Sequence, residues 1–302
     1  METTMVLADL DMRFLTQETM PTNRDPGQFI TELCERVRRL MDSHRHISFE
    51  GIGVALPGRI ELPSNRLAFA PNLGWKPVDF RKPLEEVSGL PVALENAANA
   101  CALAEFWGGL HPESVRNLIA VTVSEGIGVG MILNGQLVRG TMGMAGEFGH
   151  VTIQEDGPLC KCGNRGCFEV CASNTAAMRY FNESAINKSD KESTIDPNFD
   201  LILRMAERGD RHASESLDRM AHFLGVGIAL LITGLAPDMI VVVGEVTRAW
   251  SRVGPIVNEV ISHRSPTKAK TRILPGASGM HPRLRGAVAL VLQKHFGTIN
   301  FI

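Results

Sequence analysis

An excess of charge of either sign is missing from this chain: 31 lysines and arginines face 33 aspartates and glutamates, and the formal net charge is −2. A nucleic-acid surface needs a basic face, so these residues are not expected to contact DNA. Aromatics are scarce as well, with one tyrosine and three tryptophans, which argues against a base-stacking platform. No apolar run is long. The longest, residues 223–236, is too short to cross a bilayer and is interrupted by glycines. No charged-then-apolar leader opens the sequence, so the expectation is a cytoplasmic, reducing setting without a membrane. What remains, 44% hydrophobic and 21% charged over 302 residues, suits a globular chain with room for two domains.

Cysteine is the exception to this plainness. Four of the six cysteines fall between Cys160 and Cys171, just after the run Gly146-Glu147-Phe148-Gly149-His150. His150, Cys160, Cys162 and Cys167 form a Cys3His set, the soft and borderline ligands that tetrahedral zinc prefers in structural sites. The two cysteines of a C-x-C pair point apart too awkwardly to bridge each other, yet both can wrap one ion. Gly157, Pro158, Gly163 and Gly166 supply the tight turns for that wrapping. A disulfide cluster is the alternative, and it fits poorly with a reducing setting. Cys171 lies within residues 168–173, which read as the start of a helix, and is expected to be a buried small hydrophobe. Cys34 and Cys101, in apolar helical patterns, read the same way.

Along the chain, residues 4–10 and 12–15 predict two strands of a hairpin or meander. Asp25-Pro26 is an N-cap and first-turn pair for a helix carrying Phe29, Ile30, Leu33, Val37, Leu40 and Met41 at helical spacing. A strand over 51–56 ends at Pro57-Gly58. A second short run, 91–94, leads into an alanine-rich helix over 96–107. Residues 118–123 predict a buried strand, and Asn134-Gly135 a two-residue hairpin turn. The polar stretch 187–199 reads as a surface loop. Helices are expected at 201–208, 212–235 and 284–295, and a strand at 239–243. Two β-rich openings, each followed by sheet-packing helices, predict an α/β protein of two lobes with a cleft between them. The boundary falls near Gly108-Gly109. The lobes are a smaller one over 1–108, completed by the C-terminal helix within 284–302, and a larger one over 109–283 with the cysteine motif.

Residues 143–173, together with Gly53-Val54-Ala55-Leu56-Pro57-Gly58 and Leu94-Glu95-Asn96, closely resemble the signature of the ROK family of repressors, unassigned reading frames and sugar kinases. The resemblance covers nearly the whole chain, and its cysteine segment is the most specific part. It implies a two-lobe actin-like ATPase (ribonuclease H-like) fold, a structural zinc, a sugar pocket in the cleft and a homodimer. It further implies that Asn96, Glu147, His150 and Glu169 are sugar-hydroxyl ligands, with Gly58 and Arg59 near the same pocket. Such groups present several acceptors and donors to a ring of hydroxyls. His150 resembles the residue that gives one ring nitrogen to zinc and turns the other toward sugar. Taken singly, Glu147 and Glu169 would be read as solvated loop charges or outer partners of the metal.

The same resemblance marks losses. A ROK kinase carries a carboxylate directly after the asparagine matched by Asn96, as general base for the sugar hydroxyl; here stands Ala97, and a methyl group accepts no proton. Glu95, next to it, faces the wrong side of a strand to substitute. The Asp-x-Gly phosphate loop of active members is missing from the first strand. The second phosphate loop is matched by residues 124–130, with Gly126, Gly128 and Gly130, but Glu125 replaces the usual threonine. The adenosine loop reads Gly244-Glu245 where consecutive glycines are expected. Read without the family, the 126–130 glycines are a tight turn feeding a hairpin. Four lesions in one mechanism predict lost phosphoryl transfer, with neither ATP nor Mg²⁺ as a working cofactor.

The expected function is therefore the effector-sensing part of a ROK transcriptional regulator: zinc-stabilised, dimeric, binding a small sugar, and meeting DNA only through an N-terminal winged-helix domain that this chain does not contain. Sugar-driven closure of the cleft is the expected mechanism. The alternatives are an active glucokinase-like ROK sugar kinase and a structural or assembly protein with an empty pocket.

Overall fold

The computed structural model describes residues 2–61, 64, 66–70, 73–109, 114–186, 198–264, 270–277, 279 and 281–296. Its strands are β1 (Glu2–Ala8), β2 (Phe14–Pro21), β3 (Ile52–Leu56), β4 (Arg59–Glu61), β5 (Arg66–Phe69), β6 (Val92–Asn96), β7 (Leu118–Val123), β8 (Ile127–Leu133), β9 (Gln136–Leu137), β10 (Met239–Gly244) and β11 (Arg272–Pro275). Its α-helices are α1 (Pro26–Ser43), α2 (Arg81–Ser88), α3 (Ala97–Gly108), α4 (Phe168–Ala172), α5 (Asn174–Ile186), α6 (Phe199–Glu207), α7 (Arg211–Leu235), α8 (Trp250–Arg264) and α9 (Pro282–Phe296). They form two compact units: residues 1–114, 130–145 and 280–302, and residues 115–129 and 146–279.

In the first unit, β1 and β2 pair antiparallel around a turn in which Asp9 Oδ1 accepts from the backbone N–H groups of Asp11 and Arg13. The α1 helix starts where its sequence says it should. Pro26 occupies the first turn, and Asp25 Oδ1 accepts from Gln28 N at 2.9 Å, satisfying an orphan donor of the helix start. Its Phe29, Ile30, Leu33 and Val37 are buried in one core with Met20 of β2, Leu56 of β3, Val92 and Leu94 of β6, and the aromatic pair Trp75 and Phe80. Met5 of β1 and Val54 of β3 pack against the same core. β3 and β6 pair in parallel, while α9 lies along α3 and touches β3, β6 and β1. Both ladders thus share covering helices, yet each is a separate two-stranded sheet. The third small sheet, β4 with β5, is antiparallel. Cys101 is buried in α3, whereas Cys34 stays partly exposed at the core margin.

The other sheet is continuous, with strand order β11-β10-β7-β8-β9. β7 and β10 pair in parallel over six residues, and β7 is buried throughout, as a strand covered on both faces must be. β8 starts in the second unit and runs on from Gly130 in the first, where it turns back into β9. Asn134 and Gly135 have φ of 52° and 77°, the paired positive values of the predicted hairpin turn.

α7 is the longest helix, and it packs against α4, α5, α6 and α8 within the second unit. By length and composition it could span a bilayer. Its apolar face, however, is occupied by protein: Leu217, Met220, Leu224, Ile228 and Leu231 are all buried. Of the expected loop over 187–199, residues 187–197 lie outside the described residues. Asn198 caps α6 by accepting from Leu201 N, and Phe199 is already helical and buried. A hydrophobic first-turn residue behind a capping asparagine belongs to the helix, so the loop ends earlier than expected.

Candidate functional site

The cysteine segment folds as a set of backbone-braced turns. Cys160 N donates to Asn164 O at 2.8 Å and Gly163 N to Cys160 O at 3.0 Å. Gly166, with φ of 60°, approaches so closely that an added Cβ would lie 1.6 Å from Gln154 O. Ile153 N in turn donates to Gly166 O, and Phe168 N to Val151 O. These bonds bring His150, Cys160, Cys162 and Cys167 together, with one ligand atom of each within 4.8 Å of all the others.

The geometry fits a metal. A tetrahedral ion with metal–thiolate bonds of about 2.3 Å puts its ligand atoms roughly 3.7 Å apart. Cys162 Sγ lies 3.6 Å from Cys167 Sγ, and Cys160 Sγ lies 3.6 Å from His150 Nδ1. Without an ion, burial raises the thiols of Cys160 and Cys167, whereas the backbone at Asn164 draws the exposed Cys162 thiol below its ordinary range. All six cysteines are free, and Cys171 is fully buried.

Two carboxylates flank the imidazole. His150 Nδ1 is 3.4 Å from Glu169 Oε1, and Nε2 is 3.8 Å from Glu147 Oε2. Nδ1 is thus the metal-side nitrogen, and Nε2 points away from the thiolates. Glu169 Oε1 also accepts from Cys160 Sγ at 3.1 Å. The opposite oxygen of Glu169 sits 2.6 Å from where a Cβ on Gly126 would be, so the glycine loop and this carboxylate meet because Gly126 has no side chain.

That loop is a turn between β7 and β8, with Ser124 N donating to Gly126 O and Thr122 Oγ1 to Gly128 O. Gly130 belongs to the first unit, where a Cβ would strike Ala98 O of α3 at 2.2 Å. Gly244 ends β10 against Val123, and Glu245 beyond it is exposed. Asn174 ties these pieces together: its N–H donates to Ser124 O, and its Nδ2 to Glu245 Oε2 at 3.0 Å.

In the first unit, Asn96 ends β6 and caps α3. Its Oδ1 accepts from Ala98 N at 2.8 Å, and its Nδ2 donates to Gly58 O at 2.7 Å. One lone pair and one N–H remain for a ligand. Gly58, at φ of 154°, has Phe69 O where a Cβ would sit, 2.2 Å away, so only glycine brings this carbonyl to Asn96. Arg59 follows as the first residue of β4. Ala97 is the first residue of α3.

A pair that sequence reasoning missed lies beside Asn96. Glu95, 4% exposed, accepts from Asn96 N, from Asn99 Nδ2 and from Arg139 Nε at 2.9, 3.0 and 2.8 Å. Its inward direction was legible from strand alternation; its partner, 44 residues away in sequence, was not.

Two units of this construction, with parallel strands, crossing helices and a glycine turn after β7, define the actin-like ATPase class. A ROK family transcriptional regulator, a homologue of the E. coli MLC protein, shares the fold at TM-score 0.86 and 24% identity, over 97% of this chain and 75% of that one. A ROK family glucokinase from Streptomyces griseus, solved with glucose and AMPPNP, aligns at TM-score 0.84 and 27% identity, over 97% of this chain and 96% of that one. The ROK family model matches residues 1–294, and the chain belongs to the ROK family. The glucokinase of Halalkalibacterium halodurans is 32% identical over 269 residues, 85% of this chain and 80% of that enzyme. The xylose repressor of Bacillus subtilis is 32% identical over 248 residues, 82% of this chain but only 62% of the repressor. Relatives of both kinds, kinase and repressor, therefore surround it.

Proposed function

We propose that this chain is the sugar-binding, zinc-containing body of a ROK-type regulator that has lost phosphoryl transfer. The observation that carries the reading is Ala97. It directly follows Asn96, where the chemistry needs a proton acceptor, and removing a general base costs about 10²–10⁴ in rate. Glu95 is no substitute, because its carboxylate is committed to Asn96 N, Asn99 and Arg139. The phosphate side adds support. Glu125 and Glu245 are exposed carboxylates on the two glycine loops, and Glu245 is held there by Asn174. Negative charge at these places opposes a polyphosphate.

We assign the sugar-hydroxyl contacts to Asn96, with Gly58 and Arg59 beside it, and to Glu147, His150 and Glu169. His150, Cys160, Cys162 and Cys167 would hold zinc, which closes the segment and fixes the imidazole tautomer. A zinc-bound Cys160 thiolate has no proton to donate, which frees Glu169 for a hydroxyl. The ligand class is a neutral aldose, as the names of the glucokinase and xylose repressor relatives suggest. Assembly as a homodimer in the cytoplasm, and DNA contact through a separate domain, complete the proposal.

The second reading is an ATP-dependent sugar kinase, favoured by the glucokinase relative whose length this chain covers by 80%. A coupled assay over glucose, xylose and N-acetyl sugars separates the two. The regulator reading expects no turnover but a thermal shift with one of these sugars, since ligand at 100 times its Kd stabilises by about 2.7 kcal/mol. Turnover at ordinary kinase rates would overturn it. Silence in both assays would instead favour a structural or assembly protein.

A further inference from the structure

We infer that Arg139 is a specificity-determining residue of the sugar site, donating to acceptor atoms of the ligand, and that Glu95 is its positioning residue. The inference rests on the sugar-binding reading above. Arg139 spends only its Nε on Glu95, at 2.8 Å, and its side chain is 37% exposed. Its two terminal amino groups have no hydrogen-bond partner among the described residues. A guanidinium is a rigid plane, so fixing Nε on a carboxylate also fixes the direction of the other four N–H bonds.

The anchor is itself immobile. Glu95 is buried and takes Asn96 N and Asn99 Nδ2 on the oxygen that Arg139 does not use. The backbone of Arg139 is tied as well, its carbonyl accepting from Ala145 N at 2.9 Å. Glu95, Asn96, Asn99 and Arg139 line one small cavity, so Arg139 and the residue already assigned to sugar border the same space.

The chemistry calls for such a donor. Each hydroxyl carries one proton and two lone pairs, while ionised carboxylates only accept. Lone pairs on the sugar therefore need an N–H source, and Arg139 offers four. The ordinary alternative is that Arg139 merely neutralises a buried carboxylate. That task requires the Nε contact alone and predicts no effect on ligand choice. Because Glu95 cancels the charge of Arg139, the pair favours a neutral aldose over a uronic acid. Removing the carboxylate charge should reverse that preference.

The test uses the full chain, with binding of D-glucose, D-xylose and D-glucuronate measured by calorimetry. Arg139→Lys keeps a cation for Glu95 but loses the fork. It should weaken the preferred aldose ~10- to 100-fold, the scale of a lost charge-assisted hydrogen bond. Glu95→Gln should raise affinity for glucuronate relative to glucose by about tenfold, which a purely structural role would not do. Should either variant fail to fold, phenylglyoxal labelling of the unaltered chain gives the answer: saturating aldose should shield Arg139 but not Arg45, whose side chain is 80% exposed. Unchanged affinities in Arg139→Lys, or labelling of Arg139 indifferent to sugar, would overturn the inference while leaving sugar binding intact. If the unaltered chain binds none of the three sugars, the functional reading falls and this inference with it.

Discussion

The two units solve the same packing problem differently. In the second, β7 lies between β10 and β8, and all six of its residues are buried. In the first, β1–β2 and β3–β6 share the core under α1 yet remain separate ladders, and four of the five residues of β3 are partly exposed. Side-chain packing in the shared core therefore holds the first unit's ladders together, whereas backbone hydrogen bonds run unbroken through the sheet of the second. A parallel strand with neighbours on both sides gains a ladder on each edge; a two-stranded ladder gains one and relies on side-chain packing for the rest. The second unit adds a metal-ligand cluster to this advantage, and the first has none among the described residues.

The comparison can be broken most directly at the metal. Cys160→Ser or Cys167→Ser should abolish stoichiometric zinc and cost several kcal/mol, since structural zinc contributes about 10–16 kcal/mol to zinc-finger peptides. Elemental analysis and denaturant unfolding read both quantities; full stability with no metal would remove zinc from the account.

Next come two fully buried phenylalanines, Phe168 in the second unit and Phe80 in the first. Truncation of either to alanine should cost about 3–5 kcal/mol. Only Phe168→Ala should also lower metal content, because Phe168 adjoins Cys167. Equal metal loss in both variants would contradict the separation of the two cores.

Alkaline pH should distinguish the units more finely. Burial pushes the Cys101 thiol of the first unit up to about 12 from an ordinary 9.0, and the Tyr180 phenol of the second up to about 12 from 10.0. Each folded state holds its proton more tightly than the unfolded chain. Their stabilisation is therefore complete below the ordinary value and is lost as pH rises toward 12. Tyr180 accounts for up to about 2.5 kcal/mol over pH 10–12. Cys101→Ala should flatten the loss that begins near pH 9, and Tyr180→Phe the part that begins near pH 10, in pH-dependent unfolding.

The smallest effect lies in the strands themselves. Amides of β1 and β3 should open at a free energy lower than those of β7 and β10 by about 1 kcal/mol, seen as roughly fivefold faster hydrogen exchange. Equal protection would mean that the split ladders cost nothing.

Much of this architecture is legible in the residues, for identifiable reasons. The Asp25-Pro26 cap, the Asn134-Gly135 turn, the six-residue run of β7 and the Cys3His spacing are local signals, each decided by neighbours in sequence. The elements that escaped are of another kind. The α8 pattern Val253, Val257, Val260 is helical, but Pro255 lies inside the helix, where its missing N–H removes an intrahelical bond, and so it reads as a breaker. The β4–β5 hairpin is short and held by pairing rather than propensity. α5 begins at Asn174 behind Ser173, whose hydroxyl accepts from Ala176 N, a cap hidden directly after another short helix. At the candidate site the ligand set was local and visible. The pairings of Glu95 with Arg139, and of Asn174 with Glu245 across 71 residues, are tertiary and left no mark in the pattern.

One contact ties the cysteine turns to the middle of the longest helix. A Cβ on Gly227 would overlap the Phe168 ring at 2.3 Å, so the ring seats itself in a notch that a single missing methyl provides. The residue before that ring is the last thiolate of the set. Any ion held by that set would therefore bear, through one aromatic ring, on the helix around which the second unit is assembled. Filling the notch with alanine would press on the same ring from its far end.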